Sequence, residues 1–136
     1  MKTVLFACVH NAGRSQMAAA IFNKLADPIL AHAMSAGTQP GAQVHPEVVD
    51  AMRELGVELE KVLPKKLTDD VASRADILVT MGCGEACPIV PGVERDDWPL
   101  EDPSGQPPAR VRQIRDEIAR RVRGLLTARG WLGAAT

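Results

Sequence analysis

Short apolar runs alternate along this chain with segments whose apolar residues recur every three to four positions, and that alternation limits the fold to a small set. Lys2 to Ala7 is apolar and short and leads into the turn-like Asn11-Ala12-Gly13, which reads as a buried parallel strand. From Ser15 to Leu25, the residues Met17, Ala18, Ile21, Phe22 and Leu25 fall at helical spacing, with Pro28 beyond as a stop. Leu30 to Ser35 is a second strand closed by Ala36-Gly37. Pro46 to Leu55 reads as a helix, with proline in its first turn and Gly56 just past its end. Asp69 to Ser73 forms a short helix, and Asp76 to Met81 is the clearest buried strand. Residues 82 to 108 are rich in Gly, Pro, Cys and Asp and read as loops with one short strand near Trp98. Val111, Ile114, Ile118, Val122, Leu125 and Leu126 mark a long amphipathic helix whose arginines form a solvated face.

Strands alternating with helices imply an α/β protein: one domain over residues 1–136, a four-stranded parallel sheet, helices on both faces and right-handed crossovers. A length of 136 residues suits one domain with a real core. Active sites of such sheets lie at the carboxyl ends of strands, and both cysteine-bearing segments begin there. The net charge of -1 carries no basic field, so no nucleic-acid partner is expected. No segment approaches the roughly 20 apolar residues of a membrane span. The N-terminal MKTVLFACV is too short for a signal peptide's apolar region. Three cysteines are an odd number for a secreted disulfide framework; thiols in a reducing compartment more often bind metal or do chemistry. A soluble cytoplasmic protein is the expectation.

Cys8 follows the first strand directly, and Arg14 stands six residues later where a helix begins. This Cys-x5-Arg loop suits a tetrahedral oxyanion. Backbone N–H groups of a loop that enters a helix N-terminus converge and favour negative charge. The same field favours a thiolate at Cys8. Arg14 can clamp two oxygens with its planar fork, which a lysine cannot. Ser15 is placed to hydrogen-bond the sulfur, and Asn11 suits a loop position at positive φ. The oxyanion-binding candidates are therefore Val9, His10, Asn11, Ala12, Gly13, Arg14 and Ser15. The plainer reading is a buried structural cysteine with an unrelated arginine. The strand before, the helix after and Ser15 beside Arg14 weigh against it.

The run CVHNAGRSQMAAA resembles the low-molecular-weight tyrosine phosphatase family, and specifically its arsenate reductase branch. Asn11, Arg14, Ser15, Gln16, Met17 and Ala18 carry the likeness. Ser35-Ala36-Gly37-Thr38, Pro46, Cys87-Pro88 and Trp98 through Gly105 extend it over nearly the whole chain. Four positions depart from the pattern. Val9 and His10 replace a small Thr/Gly-type pair, and Gly13 stands where a second loop cysteine is common. Ala19 replaces a Glu that some members carry near a bound potassium ion.

The resemblance implies a general acid in Glu101-Asp102-Pro103-Ser104-Gly105, with Asp102 the choice and Glu101 and Asp97 weaker candidates. General acid catalysis is commonly worth 10²–10⁴-fold. Read by itself, the Asp-Pro pair could equally initiate a turn. Cys83 and Cys87 bear on redox chemistry: reducing arsenate to arsenite takes two electrons, which two thiols supply on becoming a disulfide. A third thiol can take that disulfide over and present it to an external reductant. This pair could instead be inert thiols or half a metal site. Zinc wants four ligands, and His10, His32 and His45 show no paired metal-ligand spacing, so neither a metal nor another cofactor is expected.

By resemblance, then, the catalytic set is Cys8, Arg14, Asp102, Cys83 and Cys87. The substrate is arsenate, and the reductant is thioredoxin or a low-molecular-weight thiol. A small thiol acting directly on the Cys8 adduct would leave Cys83 and Cys87 as bystanders. The same residues are also compatible with a phosphatase on this fold, or with a metalloid sensor whose thiols bind arsenite. The chain contains no tyrosine, and Ser104 and Gly105 stand where related phosphatases hold aromatic residues against a phosphotyrosine ring.

Overall fold

The computed structural model describes residues 1–82 and 90–133. Its elements run β1 (Lys2–Cys8), α1 (Arg14–Leu25), β2 (Ala31–Gly37), α2 (Pro46–Arg53), α3 (Asp69–Ser73), β3 (Ile77–Thr80), β4 (Glu94–Asp97) and α4 (Pro108–Arg129). The four strands form one parallel sheet in the order β2-β1-β3-β4. The expected α/β architecture with helices on both faces is what the chain forms. The short strand near Trp98 is β4, which lies just before that residue and is exposed along its whole length.

Alternation along β1 divides the core in two, because successive strand residues face opposite ways. Val4, Phe6 and Cys8 point to the face covered by α1, α2 and α4, while Leu5 and Ala7 meet Ala72, Leu67 and Leu78 on the α3 side. The larger half contains every aromatic ring of the chain. Trp98 packs on Phe6 at 5.5 Å between centroids, Phe6 on Phe22 at 6.0 Å, and Phe22 on Trp131 at 6.4 Å. Such pairs contribute about 0.5–1.5 kcal/mol each beyond the area they bury.

Local signals set the helix ends. Pro46 sits in the first turn of α2, where a missing N–H costs nothing. Thr68 caps α3 by accepting from the Val71 N–H. Gly130 ends α4 in the left-handed region at φ 74°, which glycine adopts without the backbone strain of an L side chain. No helix among the described residues is long and apolar enough to cross a membrane.

One polar cluster ties α2 to α4. The buried Arg115 donates through Nη1 to the Ala51 carbonyl in the last turn of α2, at 2.8 Å, and to Glu54 Oε1 at 2.7 Å. Arg112 completes a fork on the same carboxylate. Hydrogen bonds from Arg112 and then Arg115 hold the Glu54 carboxyl down to about 2 from its ordinary 4.5. A depressed carboxylate stabilises the folded state above its unfolded value, and that contribution disappears as pH falls through the folded one. We expect the melting temperature to drop between about pH 4.5 and 2. Glu54→Gln should flatten that slope while lowering the melting temperature at pH 7. Thermal unfolding followed by circular dichroism across this range checks both.

Candidate active site

β1 delivers Cys8 to the carboxyl edge of the sheet, and the chain turns over it before entering α1. Every backbone carbonyl from Cys8 to Gly13 accepts a hydrogen bond from the protein. Cys8 takes the Thr38 N–H, Val9 the Gln39 N–H, His10 the Gly41 N–H and Ala12 the His45 N–H, at 2.8 to 3.2 Å. Gln16 Nε2 serves the Asn11 carbonyl at 3.1 Å, and the Met17 N–H serves Gly13 at 3.0 Å. Among the described residues, no carbonyl accepts from the N–H groups of 9 to 13. The N-terminus of α1 has no side-chain cap and no acidic residue in its first turn. The loop thus spends its acceptors on the protein and keeps its donors. That pattern suits an anion.

Within the loop, one amide fixes the polarity of the buried network. The Lys65 backbone N–H donates to Asn11 Oδ1 at 2.9 Å, and Gln16 Nε2 donates to the same oxygen at 3.1 Å. Asn11 Nδ2 must therefore face Ser15 Oγ, to which it donates at 2.7 Å. With that lone pair used, the Ser15 hydroxyl proton is available to Cys8 Sγ, 2.9 Å away. Asn11 does this from φ 50°, a left-handed conformation that asparagine tolerates better than most residues.

Asn11, Ala12, Gly13, Arg14 and Ser15 are buried, Val9 is half-buried, and His10 alone is exposed at the rim. Ala19 offers no ligand, and the Asn11 side-chain carbonyl already has two donors. The residues present do not suit a potassium ion beside the loop.

Arg14 reaches across the sheet edge. Nη1 donates to the Leu100 carbonyl at 3.0 Å, and Nη2 lies 3.9 Å from Asp102 Oδ2. Asp102 is half-buried, and its other oxygen accepts the Ser104 N–H at 2.9 Å. The two weaker acid candidates are engaged elsewhere. Asp97 takes the Thr80 hydroxyl, and Glu101 pairs with Arg110. Arg14 thus joins the loop that begins at Cys8 to the segment that carries Asp102, whereas Cys83 and Cys87 lie outside the described residues.

Three glycines make room for this arrangement. A Cβ on Gly37 would meet the Val9 carbonyl at 2.5 Å, and one on Gly13 would meet Pro103 Cγ at 2.9 Å. In this chain a side chain at Gly13 would require the Pro103 ring to shift. At Gly82, φ is 100° and a Cβ would lie 2.4 Å from Arg14 Nη1. The sequence pattern does not reveal the Gly82 contact, the Lys65 amide or the Leu100 carbonyl, because each depends on a tertiary approach between distant segments.

The profile of the low molecular weight phosphotyrosine protein phosphatase family matches residues 3–130. The chain belongs to that family. A Halobacterium salinarum protein that carries a provisional arsenate reductase name is 40% identical over 123 residues, 86% of this chain and 85% of that one. Arsenate reductase 1 of Bacillus cereus is 35% identical over 127 residues, 90% of this chain and 92% of that one. Among solved structures, the thioredoxin-dependent arsenate reductase of Corynebacterium glutamicum superposes with a TM-score of 0.81 at 41% identity. The alignment covers 94% of this chain but 61% of that longer protein.

Gly82→Ala should push the Arg14 guanidinium off its position and force an alanine to a strained positive φ, at about 1–3 kcal/mol. Arsenate or phosphate should then raise the melting temperature of the variant less than that of the wild type. Differential scanning fluorimetry with each anion makes the comparison.

Proposed function

We propose that this chain reduces arsenate to arsenite through a covalent adduct on Cys8. The observation that carries the reading is the sulfur at the end of β1, facing the Ser15 hydroxyl inside a loop whose acceptors are all spent. Relatives of similar length that are named arsenate reductases support the same substrate. So does the use of all four aromatic rings in the core, which leaves none to stack on a phosphotyrosine ring.

In the first step the Cys8 thiolate attacks arsenic(V), and an As–O bond breaks as the S–As bond forms. Asp102 supplies the proton that lets the oxygen leave as water. The loop amides and Arg14 hold the remaining oxygens and offset the charge that develops on them. No electron changes hands there. Reduction comes when a second thiolate attacks Cys8 Sγ. The S–As pair withdraws to arsenic, arsenite leaves, and the two sulfurs are joined. Cys83 is the proposed second thiol, and Cys87 then takes the disulfide over for thioredoxin to reduce. A small cellular thiol in place of Cys83 is the alternative, and either reductant fits a protein working in the cytoplasm.

The deciding assay follows arsenite production with thioredoxin, its reductase and nicotinamide cofactor as the electron source, and then with small thiols. Cys8→Ser should abolish turnover. Arg14→Lys should lower kcat/KM by about a hundredfold or more, as an ammonium cannot reproduce a bidentate fork that is worth several kcal/mol. Arsenite formed by Cys8→Ser at the wild-type rate would refute the reading.

A second expectation concerns Asp102. Asp102→Asn should slow formation of the Cys8–arsenic adduct by about 10²–10⁴-fold. Arsenate affinity should stay within a fewfold, because the carboxyl group transfers a proton rather than attracting the anion. Rapid-quench mass spectrometry measures the adduct directly.

A further inference from the structure

Between β4 and α4 the chain carries two adjacent carboxylates that face opposite ways. Asp102 lies toward Arg14, and Glu101 lies toward the first turns of α4. Arg110 donates through Nε and Nη2 to Glu101 Oε2, and Gln106 Nε2 reaches the other oxygen at 3.3 Å. Arg110 is itself braced by Gln113 Oε1, which accepts from Nη1 at 2.8 Å. Immediately downstream, the Pro103 carbonyl accepts the Gln106 N–H at 3.1 Å, and the Pro103 ring packs against Gly13.

From these contacts we infer that Glu101 and Arg110 form a latch that positions Asp102 for proton delivery, and that both are positioning residues of the reaction. The inference rests on the proposed role of Asp102. Its logic is geometric. Asp102 is half exposed, and among the described residues its carboxylate makes one hydrogen bond, from the Ser104 amide two residues on. Such a bond sets the side chain relative to its own loop, not relative to Cys8. The loop must be held from outside, and two side chains do so from opposite sides. Arg14 takes the Leu100 carbonyl from the sheet side, and Arg110 takes the Glu101 carboxylate from the α4 side. The residue before a proline is confined to extended conformations, so Asp102 has little freedom once Glu101 and Pro103 are fixed. An ion pair this exposed, 45% and 43% at its two side chains, adds little to global stability. Its effect is local, on the placement of one carboxyl group.

Arg110→Ala and Glu101→Gln should each lower kcat for arsenate about tenfold, a fraction of what a general acid supplies, with KM within about twofold. The charge-swapped pair, Glu101→Arg with Arg110→Glu, should recover most of that loss. Combined with Asp102→Asn, Arg110→Ala should cost nothing further, since a residue acting only through Asp102 has nothing left to position. Additive losses in that cycle, or an unchanged kcat in the single variants, would overturn the latch. A readout independent of turnover is amide hydrogen exchange. In Arg110→Ala, the Ser104 and Gln106 amides should exchange faster while those in the middle of α4 keep their protection. Unchanged protection at Ser104 and Gln106 would also overturn it, whatever the assay shows. Absence of arsenate reduction in the wild type, with the exchange result as expected, would refute the proposed function and leave the latch standing as a feature of the loop.

Discussion

Six consecutive carbonyls, from Cys8 to Gly13, turn away from the sulfur, and each is held by a donor elsewhere in the protein. A short loop between a strand and a helix has many conformations of similar energy, and fixing each residue costs about 1–2 kcal/mol of entropy. The bonds from residues 38 to 45 and from α1 offset that cost as the chain folds. Because the 38–45 segment leads directly out of β2 into α2, the loop conformation is anchored to the sheet itself. The register of β1 against β2, which pairs Cys8 with Gly37, places the two segments in contact.

From that constraint the arrangement of the side chains follows. With the backbone fixed, Asn11 occupies its left-handed position, Lys65 sets its amide orientation, and Ser15 Oγ faces the sulfur. Arg14 leaves the loop at the start of α1 and spans to the segment that carries Asp102. One guanidinium thereby links the loop at the sheet edge to the segment that leads into α4.

Much of this was legible in the sequence. The alternating apolar pattern gives the strands and helices to within a few residues, since a parallel sheet covered on both faces demands buried runs at β1 and β3. Helix ends read well where proline or glycine marks them, as at Pro46 and Gly130, and less well at α1, which opens at Arg14 rather than Ser15. Cys8, Arg14 and Ser15 could be grouped because a strand–loop–helix element binds nearby residues to one place. Asp102 could be chosen only by resemblance, since local sequence makes Asp-Pro a turn. Contacts made by backbone atoms of remote residues, such as the Lys65 amide and the Leu100 carbonyl, have no side-chain signature at all. Glycines betray them indirectly: Gly37, Gly13 and Gly82 each stand where a Cβ would strike a neighbouring segment.

A ring of amides set in place by folding has a consequence for selectivity. It cannot widen or narrow much to suit its guest, and phosphate and arsenate share charge, tetrahedral shape and hydrogen-bonding pattern. A site of this kind sees both anions as nearly the same ligand, and in a cell phosphate is much the more abundant. Discrimination then falls to the chemistry rather than to recognition. Thiols readily draw the S–As bonding pair back onto arsenic but do not reduce phosphorus(V), so bound phosphate is a competitor and arsenate a substrate. In the proposed reaction, a loop fixed in this way ties throughput to the ratio of the two anions around it.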